Sequence, residues 1–329
     1  MTFSRQVLGL LAPALSLALL APLSPAQAQA TAPFPSQPIH IVVGFPPGGV
    51  PDTLARILAE KANLGQPIVV DNKPGAGGNL GGETVAKAKP DGYTVMMGGI
   101  ATHSINGSIY PNLPFDMVKD FSPILWVAAT PNVLVVHPSV PAHNVAELIA
   151  LAKAQPGQLT YGTPGIGTSP HVAGEMFNAM AGVKLTHVPY RGRAQAVPEL
   201  LGGHIATMFD NLPSALPAIR EGKVRALGIT SLKRSASAPD IPTLAEQGLT
   251  GFEADSWLAI FGPGKLPPDV QAKLAAEAQR VFSLPDVQAR MRALGMEPIA
   301  AGPSQLAAHQ RSEIAKWAKV IRDAGIKPE

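Results

Sequence analysis

The chain of 329 residues contains no cysteine, which excludes disulfides and thiolate metal or redox sites. Charge is also sparse, at 15% of residues with a formal net of +3. No Lys/Arg run reaches three in a row, and Lys233-Arg234 is the densest spot. That excludes a basic stripe for nucleic acid, and the pI near 9.1 leaves only a weak pull toward anions. Long apolar runs are missing too. Val7 to Ala21 comes nearest, but it is interrupted by Pro13 and falls short of the ~18 to 20 residues that span a bilayer. Arg5 precedes this run, and Ala28 and Ala30 follow at the −3 and −1 positions of a cleavage site. The pattern predicts a secretory signal peptide over residues 1–30. With no cysteine to carry a lipid, the mature chain is expected free in a bacterial periplasm.

What is present is a chain 46% hydrophobic, with 32 glycines and 34 prolines spread along its length. The length supports one large core or two medium ones, and the glycines and prolines read as turns between short elements. From Pro38 onward apolar runs alternate with helical patterns. "IHIVVGF", "PIVVDN" and "YTVMMGG" read as strands, "DTLARILAEKA" and "LGGETVAKAK" as helices, and a short helix is expected from Ser104. A second cycle runs from "NVLVVH" to "VRALGIT", with Asn144 as the cap of "NVAELIALAKAQ". This alternation predicts α/β lobes with mostly parallel sheets and flanking helices. After the strand-like "SWLAIFGPG" come three helical stretches and no evident strand. "LWVAATPNVLVV" and "FEADSWLAIFGPG" read as crossings between two lobes. The first lobe would hold residues 31–130 and 255–329, the inserted second lobe residues 131–254, with a ligand cleft between them.

The stretch "GFPPGGVPDTLAR" follows the first strand. Gly44 and Gly49 have phosphate-loop spacing, but Val50 and Pro51 stand where Lys and Ser/Thr belong. The dinucleotide pattern fails as well, since Gly75-Ala76-Gly77 leads to Leu80 and Gly165-Ile166-Gly167 to Pro170. What remains is an anion cradle at a helix start, with Gly48 and Gly49 offering backbone and Pro51 suited to the first turn. Asp52 stands four residues before Arg56, and it has two open roles, capping the helix or meeting a ligand. "YGTPGIGTSPHVAGE" is a second unit of this kind, in which Gly165, Gly167, Thr168 and Ser169 supply amides and hydroxyls. No G-x-S-x-G occurs, although Ser104, Ser169, His103, His171 and Asp210 could converge as a hydrolytic constellation. No histidine pair has helical i, i+4 spacing, so no metal and no cofactor are expected.

Together, "VGFPPGGVPDTLAR", "LGQPIVVDNKPGAGGNLGGETVAKAKPDGYTVMMG", "YGTPGIGTSPHVAGEMF", "VPYRG" with "ELLGGHI", and "FGPGKLPPDV" form an ordered set from about residue 38 to the C-terminus. The set resembles the Bug-type periplasmic solute-binding receptors of tripartite tricarboxylate transporters. The resemblance implies a two-lobed periplasmic-binding-protein fold of the second type that closes on a carboxylated molecule: a di- or tricarboxylate, an amino acid, or an aromatic acid. It implies no catalytic step and delivery to membrane permease subunits; a monomer is expected, with no nucleic-acid partner. Carried onto this sequence, the ligand loops are Phe45, Pro46, Gly48 and Gly49 with Thr168 and Ser169. Thr102, His103 and Ser104 fall at the cleft floor, Asp210 on the hinge side, and His171, Tyr190 and Arg191 join the candidate set. For His103 two readings stand, a pH-sensitive or ligand-reading group and a polar residue at a helix start.

The chain departs from the family pattern in three places. "AEKANLGQP" is short, Ala206 replaces a common acid, and Arg193 with Gln195 replace small residues or Pro. Arg193 has two readings, a solvated surface residue or a guanidinium that meets a second carboxylate. Two other functions are compatible with the same residues. One is a loaded sensory partner of a membrane histidine kinase; the other is an exported serine hydrolase.

Overall fold

Apolar runs become strands and amphipathic runs helices in a computed structural model that describes residues 33–323, 325 and 326. The expected signal peptide lies outside the described residues. β1 (Ile39–Val43), α1 (Val50–Lys61), β2 (Ile68–Asn72), α2 (Asn79–Ala86), β3 (Thr94–Gly99), α3 (Asn106–Ile109) and β4 (Phe121–Thr130) come first. A second series follows: β5 (Asn132–Val136), α4 (Val145–Ala154), β6 (Thr160–Thr163), α5 (Ser169–Ala181), β7 (Thr186–Pro189), α6 (Arg193–Leu201), β8 (Thr207–Asn211), α7 (Leu212–Arg220) and β9 (Arg225–Ile229). The chain ends with β10 (Ser256–Pro263), α8 (Pro268–Phe282), α9 (Pro285–Ala293), β11 (Glu297–Ala301) and α10 (Pro303–Asp323). Asn144 caps α4 as its sequence indicates. Its side chain accepts from the Glu147 amide at 2.9 Å, while the Glu147 carboxylate accepts from the His143 amide at 2.6 Å.

The strands form two sheets, ordered β11-β4-β10-β3-β1-β2 and β7-β6-β8-β5-β9. Both are mixed rather than mostly parallel. β1 pairs in parallel with β2 and β3, and β6 with β7 and β8, but every pairing of β4, β5, β10 and β11 is antiparallel. The reason is the crossing itself. β4 leaves one sheet and becomes β5 of the other across a single residue, Pro131, and β10 returns beside β4 in the opposite direction. The last third also contains a strand that its sequence conceals. β11 reads "EPIAA", and Pro298 restricts it to a sheet edge with interrupted register against β4.

Each sheet has a switch point where successive connections leave in opposite directions. In the first, β1 connects through α1 to β2 on one side, and the chain then passes through α2 to β3 on the other. In the second, β6 stands in the same relation to β7 and β8. Crevices open at such points, beyond the C-terminal strand ends. The two glycine-rich loops follow β1 and β6, so topology places both at a crevice. The strands behind them are rigidly packed: Ile39, Ile41 and Val43 are fully buried against Leu54 and Leu58 of α1 and Leu274 of α8, while Val42 and Met96 pack on the opposite face. Each such side chain contributes about 1.5 to 3 kcal/mol on burial. Among the described residues, no helix is long and apolar enough to cross a membrane.

Candidate functional site

A cavity of about 290 Å³ lies where the segments after β1, β3 and β6 meet the end of β8 and the start of β10. The first of these is shaped from below. Gly48 adopts φ +88°, and its amide donates to Asp52 Oδ2 at 2.9 Å. Asp52 is buried, and its carboxylate also accepts from Asn72 Nδ2 at 3.0 Å and from both Arg56 Nε and Nη2 at 2.9 and 3.0 Å. Burial alone would raise this carboxyl, but the bonds from Arg56, Gly48 and Asn72 outweigh it and hold it below its ordinary range. Asp52 therefore serves neither as the N-cap, which is Gly49, nor as a wall of the cavity. It anchors the loop from behind. The Gly48 amide is turned toward Asp52, so Gly48 lines the cavity without an amide to offer, beside Phe45, Pro46 and Gly49.

Behind β3, Thr102 lines the cavity, but His103 and Ser104 do not. Residues Ala101–Ile105 form a wide helical turn that swings His103 into the core. Its ring stacks on Phe261 at 3.7 Å and meets the edge of Phe121 at 4.5 Å. Burial pushes His103 down to about 3, which keeps it neutral near pH 7, and its Nδ1 lies 2.8 Å from Oγ1 of Thr102. Ser104 donates to the Ile100 carbonyl at 2.7 Å, inside its own turn.

In the second lobe, Pro164, Thr168 and Ser169 line the cavity, while Gly165 and Gly167 shape the loop at φ +145° and +74°. The hydroxyls are already engaged: Thr168 donates to the Gly165 carbonyl at 2.6 Å and Ser169 to Asn132 Oδ1 at 3.2 Å. His171 sits behind the loop, accepting from the Gly167 amide at 3.3 Å and stacking on His187 at 4.3 Å. Burial lowers His171 to about 4; burial and the neighbouring His171 lower His187 to about 3. Tyr190 and Arg191 do not line the cavity; their amides bond Thr163 and Gln195. Among the described residues, no hydrogen bond joins a histidine to Ser104 or Ser169, so the hydrolytic constellation is not assembled.

Arg193 does reach the cavity, but not as a free cation. Its Nε donates to Asp210 Oδ2 at 2.7 Å and its Nη2 to the Ser214 carbonyl at 2.5 Å. Asp210 lines the cavity too, with 2% of its surface exposed. Burial raises its carboxyl, against the pull of Arg193 and the Asn211 amide. Among the described residues these two are the only charged side chains in the lining, and they pair with one another. Met97, Asn211, Ser214, Ser256, Trp257 and Leu258 also line the cavity and were not singled out from sequence. Trp257 carried one signal, its place in a crossing segment. The resulting cavity has apolar walls, backbone amides, neutral hydroxyls and one internally paired ion pair. Such a cavity suits a small bound molecule.

The lobes also touch beside the cavity. Tyr110 Oη of the first lobe donates to the Ile166 carbonyl of the second at 3.3 Å. Gly167 packs so tightly on Asn106 that an added Cβ would lie 2.3 Å from its Oδ1.

The buried histidines carry a prediction. They are neutral in the folded chain, whereas unfolded histidine protonates below about 6.5. The unfolded state then binds more protons, so stability falls as pH drops from 6.5 toward 3 to 4. Asp255, pushed up to about 6 by burial, works in the opposite direction, because its folded form protonates first. His103 alone should contribute about 2 kcal/mol of loss at pH 5. The urea midpoint at pH 5 should lie below that at pH 7, and His103→Phe, which keeps the ring stack, should narrow the gap. Equal midpoints at the two pH values would contradict this.

The family described as the tripartite tricarboxylate transporter family receptor matches residues 54–326. The chain is 36% identical over 297 residues to the protein BugT of Bordetella pertussis, covering 89% of this chain and 91% of that one. Among solved structures, the R. palustris protein Rpa4515 with adipate superposes with a TM-score of 0.86 at 35% identity, covering 90% of this chain and 100% of that one. MatC from Rhodopseudomonas palustris with bound malate gives 0.83 at 33% identity, covering 88% and 100%. The two sheets with flanking helices are thus the two lobes of a periplasmic-binding-protein fold.

Proposed function

The chain belongs to the tripartite tricarboxylate transporter family of receptors, and from that membership we propose that it captures one small carboxylic acid between its lobes. It acts outside the cytoplasm, in the periplasm, and delivers the acid to the membrane subunits of a transporter as a monomer, with no catalytic step. In this reading residues 131–254 form the inserted lobe, and the rest of the mature chain forms the other. The observation that carries the proposal is the cavity at the paired switch points, whose only two charges neutralise each other. Backbone amides and hydroxyls then hold the carboxylate reversibly, without the desolvation of an unpaired cation. The adipate and malate seated in two related structures support this ligand class.

Binding should be visible as stabilisation, since a ligand held only by the folded state raises the melting temperature by mass action. A thermal-shift panel of di-, tri-, amino and aromatic carboxylic acids, followed by calorimetry, tests it. At least one acid should raise the melting temperature in proportion to the logarithm of its concentration, while uncharged amides of the same acids do not. A broad panel in which no acid shifts it would refute the carboxylate reading.

A further inference from the structure

One buried amide connects both chain crossings to the cavity. Asn132 is the first residue of β5, directly after the outgoing crossing, and it is fully buried. Its Nδ2 donates to the Ala254 carbonyl at 2.6 Å, just before β10 carries the chain back. Its amide nitrogen donates to Thr230 Oγ1 at 2.8 Å, and its carbonyl accepts from the Thr230 amide at 2.9 Å. Thr230 Oγ1 in turn lies 3.0 Å from Asp255 Oδ1. The donation to Ala254 fixes the orientation of the amide, so Oδ1 faces the cavity loops. There it accepts twice, from Ser169 Oγ at 3.2 Å and from Asn211 Nδ2 at 2.7 Å. Ser169, at the start of α5, and Asn211, at the end of β8, line the cavity, whereas Asn132 does not.

We infer that Asn132 is a positioning residue that couples occupancy of the cavity to the geometry of the crossing strands. A serine hydroxyl has a single hydrogen to donate, and here Ser169 gives it to Asn132. A carboxylate is a stronger acceptor than an amide oxygen. When one enters beside Ser169, the hydrogen turns to the ligand, and Asn132 Oδ1 keeps only Asn211. The amide that ties both crossings thus loses a bond within its own lobe as the ligand gains one. This inference deepens the carboxylate-binding reading and rests on it for its ligand arm.

The test uses the full mature chain, with dyes on cysteines introduced at the exposed Lys89 and Lys153; the absence of native cysteine makes the labelling site-specific. Distance between the lobes is read by fluorescence energy transfer, and affinity by calorimetry with the best acid from the panel. Ser169→Ala should broaden the lobe-to-lobe distances of the ligand-free receptor, because Asn132, which stands at the base of both crossings, is then held by one bond fewer. It should also weaken binding roughly 10-fold or more. Asn132→Ala should broaden the same distribution and weaken binding, and the double variant should lose clearly less than the product of the two single losses. Multiplicative losses, or a Ser169→Ala receptor with unchanged ligand-free distances, would overturn the inference. So would an Asn132→Ala variant that melts earlier while its affinity and distances stay as in the parent. If Asn132→Ala does not fold, the ligand-free distances of Ser169→Ala still decide. They also decide if no acid binds, an outcome that counts against the carboxylate reading alone.

Discussion

Gly167→Ala is expected to weaken ligand binding about 5- to 150-fold, the equivalent of roughly 1 to 3 kcal/mol of overpacking. The added methyl would lie 2.3 Å from Asn106 Oδ1 and 3.1 Å from Tyr110 Cε2, both on the opposite lobe. Asn106 cannot swing aside cheaply. It is fully buried, and its Nδ2 donates to the Gly77 carbonyl at 3.1 Å and to Asn79 Oδ1 at 2.6 Å. The collision exists only where the lobes meet, so it penalises the closed arrangement and spares an open one. A second effect acts in both. Gly167 sits at φ +74°, where a side chain costs about 1 to 2 kcal/mol of stability. Gly182→Ala separates the two: it carries the same kind of backbone strain at φ +61°, with nothing within 4 Å of the new methyl. Gly182→Ala should lower the melting temperature and leave affinity unchanged, while Gly167→Ala lowers both. Calorimetry on the two variants checks this, and a folded Gly167→Ala receptor with parental affinity would refute the closure argument.

Arg193→Met is expected to lower stability at pH 7 by about 3 kcal/mol, at the lower end for breaking a buried pair because the arginine is partly exposed. The loss arises from the partner left behind. Asp210 is 2% exposed, and burial already raises its carboxyl despite Arg193 at 2.7 Å. Without the guanidinium its folded-state pKa rises further above the unfolded value. A carboxyl raised in this way stabilises the protonated folded form, so the deficit should shrink as pH falls through the raised value and widen toward neutral. Arg193→Met combined with Asp210→Asn removes the buried charge altogether and should recover most of the loss. Urea unfolding at pH 5 and pH 7 measures all three. A single variant as stable as the parent at pH 7, or a double variant no better than the single, would show that the pair is not a structural unit.

Arg193 also shows where sequence reading reaches its limit. The residue was legible as a departure from the family pattern, and so was its place near the cleft. Its meaning was not, because the group that neutralises it lies on β8, beyond the whole of α6. His103 is a similar case. A histidine in a turn beside a cleft reads as a candidate ligand contact, and only the arrival of Phe261 from β10 makes it a core ring. Asp52 left two local roles open, and the structure chose a third. Asn72 from β2 and the turned-back Gly48 amide make it an anchor for the loop rather than a cap or a contact. Asn132 carried only its place in a crossing segment, since its partners Ser169, Asn211 and Ala254 are brought together only by the two crossings.

The sequence by itself determined what depends on neighbours along the chain. Alternating periodicity set the strands and helices, Asn144 its cap, and the glycines the two loops that must follow β1 and β6. Ordered motifs were enough to identify the receptor family. The tertiary structure alone decided which way the crossing strands run, that Pro298 lies within an edge strand, and which polar groups face the cavity. Those outcomes rest on contacts between residues far apart in sequence. A side chain's charge state and accessible hydrogens follow from whatever packs against it, and no local pattern records that.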